Sequence, residues 1–74
     1  MKEYEVMIER ITPCGGRKYS RKEFVEVEVA SPAQYVTEHG RFPIKEQTVT
    51  EKGDIFIVTG NEKGYIDEYL FTVI

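Results

Sequence analysis

Nucleophilic chemistry in this chain would have to pass through Cys14, its only cysteine, with His39, its only histidine, as the base. A thiol nucleophile needs such a base within hydrogen-bond reach, and no spacing or pattern brings these two residues together. One Cys and one His also fall short of a zinc site, which draws on about four such ligands. Asp67 and Glu68 are neighbours in a segment that reads as a strand, where successive side chains point to opposite faces, so they make a poor acid/base pair. Gly15-Gly16 lacks the Lys and Ser/Thr that complete a phosphate loop. No catalytic, cofactor-binding or metal-binding residue is assigned, no cofactor is implied, and the chain is read as a non-enzyme.

Binding chemistry has better material. Between Arg10 and Lys22 the chain carries Arg10, Arg17, Lys18, Arg21 and Lys22 with no acidic residue among them. That segment is +5 in a chain of net charge −3, which leaves −8 on the remainder. Basic side chains with Tyr19 in their midst suit a nucleic-acid backbone, the cations meeting phosphates and the ring stacking on a base. The plain alternative is a solvated hairpin tip, charged for solubility on an acidic body that would repel DNA or RNA.

The opposite candidate is acidic. Glu3, Glu5 and Glu9 on one strand would lie beside Glu26 and Glu28 on the next, and like charges directly opposed weaken a sheet by a few tenths of a kcal/mol. A chain that keeps such a patch has a surface for a basic protein partner, or one that imitates the charge of DNA. A solvated sheet face with Lys2 or Lys45 nearby is the plain reading.

The elements that must position these groups are legible from periodicity and punctuation. Glu3 to Ile11 alternates, with Tyr4, Val6 and Ile8 on one side and Glu3, Glu5, Met7 and Glu9 on the other. Pro13-Cys14-Gly15-Gly16 breaks the run. Val25, Val27 and Val29 then alternate with Phe24, Glu26 and Glu28. The two runs form an antiparallel hairpin, with the basic segment either at its tip or extending the second strand. Ser31-Pro32-Ala33-Gln34 predicts a helix start: Ser31 as cap, Pro32 in the first position, Gln34 completing a capping box. Gly40 is placed to end that helix in a left-handed conformation. About two turns lie between, with Pro32, Tyr35, Val36 and His39 on one face, too short a helix to stand without packing on the sheet.

Arg41 to Ile44 reads as a weak strand, confined to an edge by Pro43. After a turn at Glu51 to Asp54 come Ile55 to Thr59 and Tyr65 to Ile74, joined by the loop Gly60 to Gly64. Both faces of these last strands are apolar, and one small helix cannot cover both. The sheet therefore either curls into a partial barrel or is covered by a partner, self-association included. Tyr65, Tyr69 and Phe71 share a strand face and are read as core, in preference to an exposed stacking platform.

A chain of 74 residues has room for one domain, spanning 1–74, and its apolar and charged shares, 41% and 31%, are those of a folded protein. No run approaches the roughly 20 apolar residues of a membrane span. The acidic, alternating start differs from a secretory signal, and a lone cysteine fits a reducing compartment, so a cytoplasmic protein is expected. The class expected is α+β, in the order β-β-α-β-β-β, with a twisted, mostly antiparallel, barrel-like sheet and one short helix. Its core is expected to hold Tyr4, Val6, Ile8, Val25, Val27, Val29, Tyr35, Val36, Ile55, Ile57 and Leu70.

Tyr4-Glu5-Val6 with Ile8, Val25 to Val29, Ser31-Pro32 with Tyr35-Val36, Gly64-Tyr65, and Tyr69 with Phe71-Thr72 span nearly the whole chain. In this layout the chain resembles small transposon-encoded (TTRAP-type) proteins of conjugative transposons, a family without an established activity. The resemblance implies an accessory protein of a mobile genetic element, in a bacterial cytoplasm and close to nucleic-acid-handling machinery. It carries over no site residues. Two functions of different class follow: a protein-interaction module using the acidic face or a strand edge, and a nucleic-acid-binding module using Arg17 to Lys22.

Overall fold

The computed structural model describes residues 1–74, apart from the side chains at positions 17 and 19. Two long strands, β1 (Lys2–Thr12) and β2 (Gly16–Val29), precede a helix, α1 (Pro32–His39). Three shorter strands follow, β3 (Ile44–Val49), β4 (Ile55–Gly60) and β5 (Ile66–Val73). They form one five-stranded sheet in the order β2-β1-β5-β4-β3, and each of the four pairings is antiparallel. The α+β class and element order are as the sequence implies. The sheet does not close into a barrel: β2 and β3 are its two edges.

Alternation in β1 sorts the residues into two faces. Tyr4, Val6 and Ile8 point to the side that α1 covers, where they form a core with Val36, Ile57, Tyr69 and Phe71. Val25, Val27, Val29, Tyr35 and Ile55 pack around this core half-buried. The ring of Phe71 anchors it, meeting Tyr4 edge-on at a centroid distance of 5.6 Å and Tyr35 at 6.0 Å. Leu70, expected in the core, lies outside this cluster: the β5 alternation that turns Tyr69 and Phe71 toward α1 turns Leu70 away.

Of the two placements weighed for the basic segment, the structure takes the second: it extends β2, so the hairpin turn is confined to Pro13–Gly15 and Gly16 takes a positive φ of 56°. Three further local details differ from expectation. Ser31 caps α1 by accepting the Gln34 N–H at 3.4 Å, but the box is not closed, because the Gln34 amide donates to Glu38 Oε1 at 3.1 Å. Gly40 ends the helix with φ −80°, so its backbone is extended and not left-handed. What requires glycine there is crowding: a Cβ would overlap the Val36 carbonyl and sit 3.2 Å from the Tyr69 hydroxyl. The strand expected over Arg41 to Ile44 begins only at Ile44 and runs on to Val49 at the sheet edge, Pro43 standing just before it.

Candidate interaction face

The face of the sheet opposite α1 carries a row of apolar side chains that the core does not claim. Strand register carries one row straight across it: Phe24 of β2 pairs with Met7, Met7 with Leu70, and Leu70 with Phe56. None of these four belongs to the core under α1. Phe24 at the edge is 64% exposed, while Met7, Leu70 and Phe56 are half-buried. Neighbouring strands are about 4.8 Å apart, so the row forms a continuous apolar band about 14 Å long.

Acidic side chains flank that band. Register places Glu5 opposite Glu26 in the next row and Glu3 opposite Glu28 beyond it, all four exposed. Alternation sends them to the same side as Phe24 and Met7. Like charges directly opposed across two strands cost the sheet a few tenths of a kcal/mol per pair. On the other flank lies the row Lys22, Glu9, Glu68, Val58 and Glu46. Here Glu9 is not part of the exposed acidic set. It is buried, as is its cross-strand neighbour Glu68, and it accepts the Ser20 hydroxyl at 2.6 Å.

Among the described residues, Arg10, Arg21 and Lys22 do not gather on one surface. Arg10 and Arg21 are cross-strand partners on the α1 side, where Arg10 is ion-paired to Glu23. Lys22, by contrast, opposes Glu9 on the far side. Lys18 is exposed and engaged with other groups. Arg17 and Tyr19 lie outside the described residues.

Elsewhere the polar groups serve the fold. Asp67, fully buried, accepts both a 3.1 Å bond from Arg41 Nε and a 2.9 Å bond from Arg41 Nη2. The same carboxylate raises the Arg41 pKa above its ordinary value. Burial raises the Tyr69 hydroxyl pKa, with the Asp67 charge adding to it. Cys14 is exposed in the hairpin turn, and His39 stacks against Tyr35 with ring centroids 4.6 Å apart. Among the described residues, no group of three or more His, Cys, Asp and Glu side chains is arranged to hold a metal ion. Among them, too, no helix is long and apolar enough to cross a membrane.

Comparison with protein-family models, curated proteins and solved structures gives no match.

The apolar band was partly readable in advance. Phe24 and Met7 are outward members of alternating strands, whereas Leu70 is expected in the core by sequence and Phe56 lies in a strand apolar on both faces, so only the register reveals that the four fall in one row.

Proposed function

We propose that the chain is a non-catalytic protein-interaction module, an accessory protein of a mobile element, that docks a basic partner on the sheet face opposite α1. The observation that carries this reading is the band Phe24, Met7, Leu70 and Phe56 beside two directly opposed glutamate pairs. A sheet with one helical layer leaves its second face partly in water, Phe24 most of all, and burying the apolar area that remains exposed favours association. The glutamates select the partner's sign, since opposed like charges in the free protein are relieved by an incoming cation. Nucleic acid is the weaker reading, because Arg10 and Arg21 lie on one side of the sheet and Lys22 on the other.

The test is capture from a bacterial host extract with the wild-type chain and with a Phe24→Ser, Glu5→Lys, Glu26→Lys variant as parallel baits. A protein held by the first and released by the second supports the module. Equal capture by both baits counts against it. So does salt-sensitive binding of a mixed DNA or RNA pool that the variant retains.

A further inference from the structure

From the same face we infer the form of its partner: a basic amphipathic α-helix of about three turns, lying across the strands along the Phe24–Phe56 band. This inference rests on the interaction-module reading.

The face itself excludes most occupants. In the interior of a sheet every main-chain N–H and C=O is already used in the ladders, so the face offers side chains only. A segment buried against it must satisfy its own backbone polar groups, which an extended peptide cannot do and a helix does. An extended peptide would find partners only at the β2 or β3 edge, away from the middle of the band. A second copy of this chain supplies a sheet with its own bonds satisfied, but both faces then carry the same excess of carboxylates, Glu3, Glu5, Glu26, Glu28 and Glu46 against Lys22. That excess of like charge disfavours self-docking on this face.

The dimensions fit a helix. Four apolar positions spaced about 4.8 Å apart approximate the 5.4 Å pitch of an apolar stripe at i, i+3 or i+4, and i+7. A band of about 14 Å matches about ten residues at 1.5 Å rise. The Glu5–Glu26 row lies two residues along the strands from the band, about 7 Å, where Lys or Arg side chains on the flank of such a helix would reach. The opposite flank carries Lys22 as well as Glu46, so the charge is asymmetric and the helix seats with its more basic side over Glu5 and Glu26.

The experiment titrates the full chain into labelled synthetic peptides and reads fluorescence anisotropy and circular dichroism. One set consists of basic amphipathic peptides of about twelve residues with apolar groups at helical spacing, varied in apolar size. A second set has the same compositions with a central proline that blocks the helix. A third replaces each Lys by Glu. The expected result is that a member of the first set binds about tenfold or more tighter than its proline and acidic counterparts and gains helicity on binding. Phe24→Ser should weaken that complex about tenfold, as loss of an aromatic anchor does. The Glu5→Gln, Glu26→Gln variant should weaken it severalfold while the free protein becomes no less stable, a combination that a folding defect cannot produce.

Equal binding of the proline peptides overturns the helix inference and leaves the interaction module standing. No binding of any helical peptide, together with face-dependent capture of a host protein, does the same. Binding that survives both Phe24→Ser and Glu5→Gln, Glu26→Gln places the helix elsewhere and also overturns the inference.

Discussion

Arg41 and Asp67, separated by 26 positions in sequence, form a two-pronged ion pair in which the carboxylate is 1% exposed and the guanidinium 53% exposed. Arg41 lies in the connection that leaves α1 and Asp67 in the central strand β5, so the pair fastens the helical crossover to the middle of the sheet. Arg10 and Thr59 pair with Asp67 on its two flanking strands, and the Thr59 hydroxyl donates to the Asp67 carbonyl at 2.9 Å. Removing the guanidinium strands a buried carboxylate. Because Arg41 is half in water, we expect Arg41→Ala to destabilise by about 1–3 kcal/mol, below the range for a fully buried pair. Arg41→Lys should recover less than half of that loss, since an ammonium cannot reproduce two parallel bonds. Urea denaturation checks both; an unchanged midpoint for Arg41→Ala would show that the pair holds nothing.

Tyr69 sits beside this pair and makes the fold sensitive to alkali. Burial raises its hydroxyl pKa above the ordinary value near 10. In the unfolded chain the phenol therefore loses its proton at lower pH than in the folded one, and the folded state holds more protons over that interval. Stability is then fully present below about pH 10 and declines as pH rises through the higher folded-state pKa. Urea midpoints measured from neutral to strongly alkaline pH should fall above about pH 10. Tyr69→Phe should fall less steeply over the same range. Identical slopes for the two proteins would assign the alkaline loss to other groups.

The two ends of α1 respond differently to substitution. Ser31→Ala removes the acceptor for the Gln34 N–H and should cost about 1 kcal/mol. Gln34→Ala breaks only an exposed contact to Glu38, so its effect should be within about 0.5 kcal/mol. Gly40→Ala must displace the Val36 carbonyl and press on the Tyr69 hydroxyl, and should cost about 1–3 kcal/mol, even though the backbone angles suit any residue. Thermal or urea denaturation of the three variants should rank them Gln34→Ala, Ser31→Ala, Gly40→Ala in order of increasing damage. A mild Gly40→Ala would mean that the helix end is free to shift.

Where local pattern decides the structure, the sequence could be read. Tyr4, Val6 and Ile8 alternate with Glu3, Glu5, Met7 and Glu9, and Ser31-Pro32 opens a helix, so β1 and α1 fall where the pattern puts them. β3 could not be read in the same way: from Lys45 to Val49 every residue is exposed, and a strand without a buried side leaves no periodic trace. Leu70 and Phe71 are equally apolar, and only their pairing with Met7 and Val6 tells which one faces α1. The sequence marks Gly40 for a helix end in a left-handed conformation, but what demands glycine is the overlap of a Cβ with the Val36 carbonyl, with the Tyr69 hydroxyl, far along the chain, closing in at 3.2 Å. The candidate face is a product of register. Glu5 and Glu26 are both outward glutamates by alternation, while their direct opposition, and the apolar row next to them, depend on how β1 slides against β2 and β5.

That opposition has a consequence in the free protein that needs no partner to observe. Glu5 and Glu26 face each other across one rung, and Glu3 and Glu28 face each other one row beyond, with side chains in water. Carboxylates on residues whose Cβ atoms stand about 5 Å apart repel at a solvated surface, and the repulsion is screened once the Debye length shrinks to about 3 Å at 1 M salt. The Arg41–Asp67 pair is buried on its acidic side and loses less to the same salt. The wild-type chain should therefore gain stability as sodium chloride is raised from low to molar concentration. Glu5→Gln, Glu26→Gln should start a few tenths of a kcal/mol more stable at low salt and gain less on addition of salt, since one of the two opposed pairs is gone. Urea midpoints for both proteins at the two salt concentrations give the comparison directly. If the double variant is less stable than wild type at low salt, these glutamates are held by cations within the fold, and the face is not the unsatisfied acidic surface on which a basic partner depends.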